Sequence, residues 1–158
     1  TAKLMLEKFI AYLRSSLAST REPQSTLAAE FDLMGNFLAI LQIRMGDRLR
    51  VELSLPPELA GFAIPPMLLQ PLVENAIKHG LEPKVEGGCV RLEAFRAGDT
   101  IEVSVTDTGV GFSGGRSGGI GLRNVRERLQ QLFGDRGRLV IEENPPAGTR
   151  ALLIIPAT

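Results

Sequence analysis

The stretch VENAIKHG, residues 73–80, holds the chain's single histidine, His79, with Lys78 beside it and Asn75 one helical turn before. On a helix, positions i, i+3 and i+4 share a face, so these three side chains can act together. Each has a use at a phosphate. The Asn75 side-chain oxygen suits Mg2+, which takes oxygen ligands and commonly keeps only one or two protein ligands beside substrate phosphates. Lys78 offers a point charge and His79 a hydrogen-bond donor to phosphate oxygens. Taken singly, each also fits an ordinary helix surface. Asn75 can be an exposed polar residue, Lys78 can pair with Glu74 at i,i+4, and His79 is favoured by the dipole in a last turn. Their combination with the glycines downstream is what points to a nucleotide.

A second group begins at Asp107, at the end of an alternating strand, followed by Gly109 and Gly111; further on, Gly119 and Gly121 open a helix. An ionised carboxylate only accepts hydrogen bonds, so Asp107 suits an exocyclic amine such as the adenine 6-amino group. Gly109 and Gly111 let backbone approach a flat ring. Gly119 and Gly121 present bare N–H groups at a helix N-terminus, where unpaired donors and the dipole stabilise phosphate. The intervening FSGGRSGG (112–119) is too glycine-rich to hold one shape when empty and reads as a lid. GVGFSG (109–114) matches G-x-G-x-x-G, but its helix comes several residues late and its flanking strands form hairpins. A dinucleotide fingerprint needs a βαβ unit, so that reading is set aside. No G-x-x-x-x-G-K-[ST] occurs, which excludes a Walker A loop. A plain surface loop in a hairpin protein remains the alternative for these glycines alone.

The elements that must position these residues follow from periodicity. Leu6, Ile10, Leu13 and Leu17, then Leu27, Phe31, Met34, Leu38, Leu41 and Met45, alternate spacings of three and four, the stripe of helices that pack on helices. The segment 21–26, with Pro23, separates them, and Ser25 or Thr26 can cap the second. Two readings stand: both helices cover one face of a sheet, or they form a stalk or dimer contact. LRVELSL (49–55) alternates with period two, a half-buried strand ended by Pro56-Pro57. Pro65-Pro66 opens a helix to about His79, with Gly80 suited to the C-terminal left-handed position. Pro71 within it implies a start near Met67 or a kink. CVRLEAF and IEVSVTD form a hairpin about Gly98, LRNVRERLQQLFG is a helix, and RLVIEE and RALLIIP form a second hairpin around NPPAGT. The expected fold is α+β: a two-layer sandwich with a mixed, mainly antiparallel sheet, helices on one face, and two amphipathic helices in front. The expected division is a helical segment 1–46 and a nucleotide-binding domain 47–158.

Composition narrows the classes. A chain of 158 residues with 44% apolar and 23% charged content is that of a soluble globular domain, which at this length buries roughly 70% of its unfolded surface. Eighteen basic and eighteen acidic residues balance, so no nucleic-acid groove is indicated. A single cysteine, Cys89, forms no internal disulfide and no Cys/His metal cluster. No run of apolar residues is long enough to span a membrane. The start Thr-Ala-Lys, already in helical pattern, leads us to expect a piece of a longer protein.

These motifs resemble a known family. LLQPLVENAIKHG is similar to the N box, DTGVGF to the G1 box and GGIGLRNVRERL to the G2 box of the Bergerat-fold (GHKL) ATPases; any one alone is weak, but the three in order are specific. IPPMLLQPLVENAIKHGL most resembles the autolysin-sensor (LytS-like) sensor histidine kinases, GTRALLIIP resembles their closing strand, and ILQIRMGDRLRVEL the segment before their catalytic domain. The resemblance implies ATP and Mg2+ as cofactors, with Asn75 on the metal, Lys78 and His79 near the phosphates and Asp107 on adenine. It implies Gly109 and Gly111 lining the base, Gly119, Gly121 and Leu122 at the phosphate end, and Thr149 near the adenine pocket. Some superfamily members carry Glu or Asn where this chain has Pro71, which leaves Glu74 as the nearby carboxylate for any base-like role.

The same resemblance implies a two-component protein-histidine kinase that homodimerises, hands its phosphoryl group to a response regulator, and is the cytoplasmic part of a membrane-anchored bacterial sensor. Its acceptor histidine lies in a PHFLFN-like segment, which these 158 residues lack. In-line transfer needs the acceptor at the phosphate, so this chain alone is expected to bind Mg·ATP without autophosphorylating. A stand-alone GHKL anti-sigma-factor serine kinase is the alternative of similar length; the 45 residues read as helical before the first strand weigh against it.

Overall fold

The computed structural model describes residues 2–21, 24–111 and 119–157. Helix α1 (Ala2–Arg21) leads to a two-residue strand β1 (Ser25–Thr26) and helix α2 (Leu27–Met45). Thr26 is the cap: its backbone is extended and its Oγ1 accepts from the Ala29 N–H at 3.1 Å. Strands β2 (Leu49–Ser54) and β3 (Ala63–Ile64) follow, then helix α3 (Gln70–Asn75), which runs on into a π-helical turn, Ala76–Leu81. The hairpin β4 (Gly88–Ala97) and β5 (Thr100–Asp107), helix α4 (Gly119–Phe133), and the hairpin β6 (Arg138–Glu143) and β7 (Thr149–Pro156) complete the chain.

The main sheet has the order β2-β4-β5-β7-β6, and β1 pairs with β3 in a separate ribbon that the sequence reading missed. Connection length decides strand direction. β4–β5 and β6–β7 are hairpins and antiparallel, as is the central β5–β7 pair, whereas β2 and β4, joined through α3 and the π turn, are parallel. The sheet is therefore mixed and mainly antiparallel. Alternate residues Val90, Leu92 and Ala94, Ile101, Val103 and Val105, and Ala151, Leu153 and Ile155 are buried. They belong to one core with Leu72, Val73 and Ile77 of α3 and its π turn, and with Leu122, Val125 and Leu129 of α4. Elsewhere on the strands, Arg91 pairs with its cross-strand partner Glu52 at 3.8 Å and Arg150 with Glu142 at 2.8 Å, each exposed and worth about 0.2–1 kcal/mol.

The two front helices do different work. α2 buries Leu27, Phe31, Leu33, Met34 and Leu38. α1 lies along α2, joined by the Tyr12–Phe37 ring contact at 5.6 Å, and its stripe remains exposed, Leu6 at 59% and Leu17 at 57%. The reading in which both helices cover the sheet therefore fails for α1.

Two further expectations need correcting. The helix proper starts at Gln70, not near Met67, so Pro71 falls in the first turn, where its missing N–H has no intrahelical partner to lose. Met67 is instead held at φ 65, its N–H donating to the Glu30 carboxylate of α2 at 2.8 Å. Gly80 is not a left-handed cap either: it lies inside the π turn, which closes with an i→i+5 bond from the Glu82 N–H to the Ile77 carbonyl at 2.8 Å.

Candidate functional site

The end of β5 is the centre of the site. Asp107 is 2% exposed, and its Oδ1 accepts from the Gly109 N–H at 2.9 Å, a tight turn that fixes the carboxylate against the backbone. Opposite it in the β5–β7 register stands Thr149, also buried. Asn144 ties the β6–β7 turn to this point, its Nδ2 donating to the Asp107 carbonyl at 3.2 Å. The Val110 N–H donates to the Gly80 carbonyl at 3.0 Å, so the π turn leans directly on the Asp107 loop.

Three glycines explain how the segments come so close. A Cβ on Gly80 would stand 2.6 Å from Asp107 Oδ1, and one on Gly109 would collide with the Gly80 carbonyl. Gly148, at φ 103, has the Asp107 carbonyl where a side chain would start. Sequence reasoning named Gly109 but missed Gly80 and Gly148 as site residues. Their signal was adjacency: each borders a motif residue, His79 or Thr149. Gly111, at φ 75, lies beside Gly148 along a recess of about 220 Å³ whose lining includes Val110 and Asn144.

The π turn also alters the expected common face. Asn75 ends the α-helix and is 9% exposed; beyond it each turn holds an extra residue, so Lys78 is exposed and His79 half-buried. Asn75 is the last residue of α3, and Lys78 and His79 belong to the π turn that continues it. Glu74 is exposed, and its Oε1 accepts from Gln70 Nε2 at 2.8 Å; Gln70 Oε1 accepts in turn from the Tyr12 hydroxyl at 3.1 Å. Burial raises the Tyr12 phenol above its ordinary 10.0, and the Glu74 charge adds to the rise.

At the start of α4, Gly119 and Gly121 occupy the first turn and Leu122 is buried at 1%. α4 packs on α3, and a Cβ on Gly121 would touch Pro71 at 3.5 Å. Of the expected lid, 112–119, residues 112–118 lie outside the described residues and Gly119 opens α4.

Two buried side-chain oxygens have no hydrogen-bond partner among the described residues: Asn75 Oδ1 and Thr149 Oγ1. A buried polar atom without a partner is costly, so each of these oxygens has bonding capacity to offer a water, an ion or a ligand. The Asn75 oxygen is a hard donor of the class Mg2+ takes, and the Thr149 hydroxyl can give and accept a hydrogen bond at a base. Among the described residues no three His, Cys, Asp or Glu side chains gather as a metal cage.

Residues 66–158 match the family model "Histidine kinase-, DNA gyrase B-, and HSP90-like ATPase". The chain belongs to this ATPase family. Residues 1–49 match a second model, "Histidine kinase". The sensor histidine kinase YesM of Bacillus subtilis (strain 168) is 34% identical over 159 residues, covering 96% of this chain and 27% of YesM. The sensor protein LytS of Bacillus anthracis is 30% identical over 169 residues, covering 98% of this chain and 28% of LytS. The chain thus spans about a quarter of each relative's length. In fold, this ATPase superposes on the catalytic domain of histidine kinase ThkA with TM-score 0.66 at 15% identity, over 85% of this chain and 96% of that one. It superposes on the histidine kinase domain of the Erythrobacter litoralis blue-light activated histidine kinase with TM-score 0.63 at 18% identity, over 97% and 75%. The α+β architecture is shared with both.

Proposed function

We propose that this chain is the ATP-binding catalytic unit of a two-component sensor histidine kinase, with residues 47–158 forming the nucleotide domain and 1–46 a helical arm. The observation that carries the reading is the pair of unpartnered buried oxygens, Asn75 Oδ1 and Thr149 Oγ1, at a site centred on the buried Asp107.

In this reading the Asp107 carboxylate accepts from the adenine 6-amino group, with Thr149 and the backbone of Gly109 and Gly111 against the ring. Asn75 Oδ1 would hold Mg2+, which would supply charge neutralisation to the nucleotide's phosphates. Lys78 and His79 meet phosphate oxygens from the π turn, and Gly119, Gly121 and Leu122 present the α4 N-terminus to the phosphate end. Glu74, whose Oε1 accepts from Gln70 Nε2, would be the carboxylate for any base-like role. The protein's contribution is alignment and charge stabilisation, which is most of what phosphoryl transfer asks of an enzyme. In the whole protein, a homodimer anchored in the bacterial membrane through other segments, the γ-phosphoryl passes to a histidine outside these residues and then to a response-regulator aspartate.

The single histidine, His79, is half-buried in the π turn and is read as a phosphate contact, not as the acceptor. Incubation of the 158-residue chain with γ-labelled ATP is therefore expected to leave it unlabelled; acid-labile, base-stable label on the chain would contradict this. Removing magnesium should weaken nucleotide binding in the wild type and have little effect in Asn75→Ala. An equal response in both would take Asn75 off the metal.

A further inference from the structure

Between the π turn and β4 runs an irregular segment, 82–87, gripped by one side chain from the stretch that joins α2 to β2. Arg48 Nε donates to the Val85 carbonyl at 3.0 Å, and its Nη2 donates to the carbonyls of Glu82 at 3.2 Å and Lys84 at 3.0 Å. Gathering three carbonyls on one planar fork is a task for a guanidinium that an ammonium does not reproduce. Gly87, at φ 68, closes the grip: a Cβ there would collide with the carbonyl of Arg48 itself. One turn earlier Arg44, in the last turn of α2, pairs with Glu82.

The same segment touches the site. Lys84 Nζ donates to the Thr108 carbonyl at 2.8 Å, while Thr108 Oγ1 accepts from the Cys89 N–H at 2.9 Å. Thr108 is the residue between Asp107 and Gly109, whose mutual bond sets the carboxylate. A continuous run of hydrogen bonds thus leads from the exit of α2 to the Asp107 turn.

We propose that Arg48 is a positioning residue for the nucleotide site, acting through 82–87 and Lys84 to hold the Asp107–Gly109 turn in its binding geometry. The inference rests on the nucleotide reading above. It makes the exit of α2 a place where movement of the helical arm changes affinity for the base.

The test is a double-mutant cycle in the 158-residue chain, with Mg·ADP affinity read by calorimetry for Arg48→Ala, Lys84→Met and the pair. Each single change should weaken ADP about fivefold to tenfold, and the pair should be no weaker than the worse single variant. Arg48→Lys, which keeps the charge and loses the fork, should not restore affinity; it also carries the cycle if Arg48→Ala does not fold. Without nucleotide, the Gly109 and Val110 amides should exchange faster with solvent in the Arg48 variants. A purely structural Arg48 would lower the thermal midpoint while leaving ADP affinity and those amides unchanged, or would combine with Lys84→Met multiplicatively; either result overturns the inference. Wild-type chain that binds no ADP would overturn the nucleotide reading and this inference with it, whereas normal wild-type binding with unaffected variants sinks the inference alone.

Discussion

At the scale of single residues, the site is built around what cannot be enlarged. Gly80 leaves space for the Asp107 carboxylate and Gly148 for the Asp107 backbone carbonyl, so Gly80→Ala and Gly148→Ala should shift Asp107 and destabilise the fold together. An added Cβ at a packed position costs about 1–3 kcal/mol, and ADP affinity should fall alongside the urea midpoint. Unchanged affinity in a folded Gly80→Ala chain would mean that Asp107 does not set it. Tyr12 gives a pH signature. Its phenol is raised above 10.0, chiefly by burial, so the neutral form is favoured in the folded state. Stability from the neutral phenol is complete below its unfolded value and is lost as pH rises through the higher folded value. Urea midpoints from about pH 8 to about pH 11 should therefore fall more steeply in wild type than in Tyr12→Phe. Parallel curves would show that Tyr12 contributes nothing there.

The same scale shows what can be read from residue types. Asp107, Asn75 and the glycines on either side of 112–118 stood out through their combination and order, since each alone also fits an ordinary surface. Gly80 was legible only as punctuation, since a glycine after a helical run ordinarily caps it. Its actual role, making room for a carboxylate 27 positions later, is a tertiary fact that no local pattern contains.

At the scale of elements, α3 is fixed from outside. Glu30, 1% exposed on α2, accepts from Ser25 Oγ at 2.7 Å and from the Met67 N–H at 2.8 Å, and so sets the path by which the chain enters α3. Glu30→Ala leaves a hydroxyl and a strained residue's N–H without their acceptor, at a cost of about 1–3 kcal/mol. Equilibrium urea unfolding measures it; a change within about 0.5 kcal/mol, the ordinary range for a surface substitution, would dismiss the anchor. Periodicity identified the five main strands, α4 and the two front helices because each keeps one period throughout. It failed at 67–81, where a positive-φ residue, a first-turn proline and a π turn follow one another. Each of those is stabilised by partners distant in sequence: Glu30, α4 and the Asp107 loop. The β1–β3 ribbon escaped notice because two residues carry no period.

At the scale of the whole molecule, one end of the sheet carries the candidate site, and the helical arm reaches it through α2, along α3 and along 82–87. α1 stands apart, with Leu6, Phe9, Ile10, Leu13 and Leu17 exposed, an apolar stripe of the kind that self-association or a partner helix covers. The chain spans about a quarter of the length of relatives such as YesM.

The most direct measurement is calorimetric titration of the 158-residue chain with ADP in the presence of magnesium. Binding at one site per chain is expected, weakened in Asp107→Asn by about 1–3 kcal/mol, the worth of a hydrogen bond to a charged acceptor. Absence of binding at millimolar ADP, or an Asp107→Asn chain that binds like wild type, would contradict a nucleotide site organised by that carboxylate.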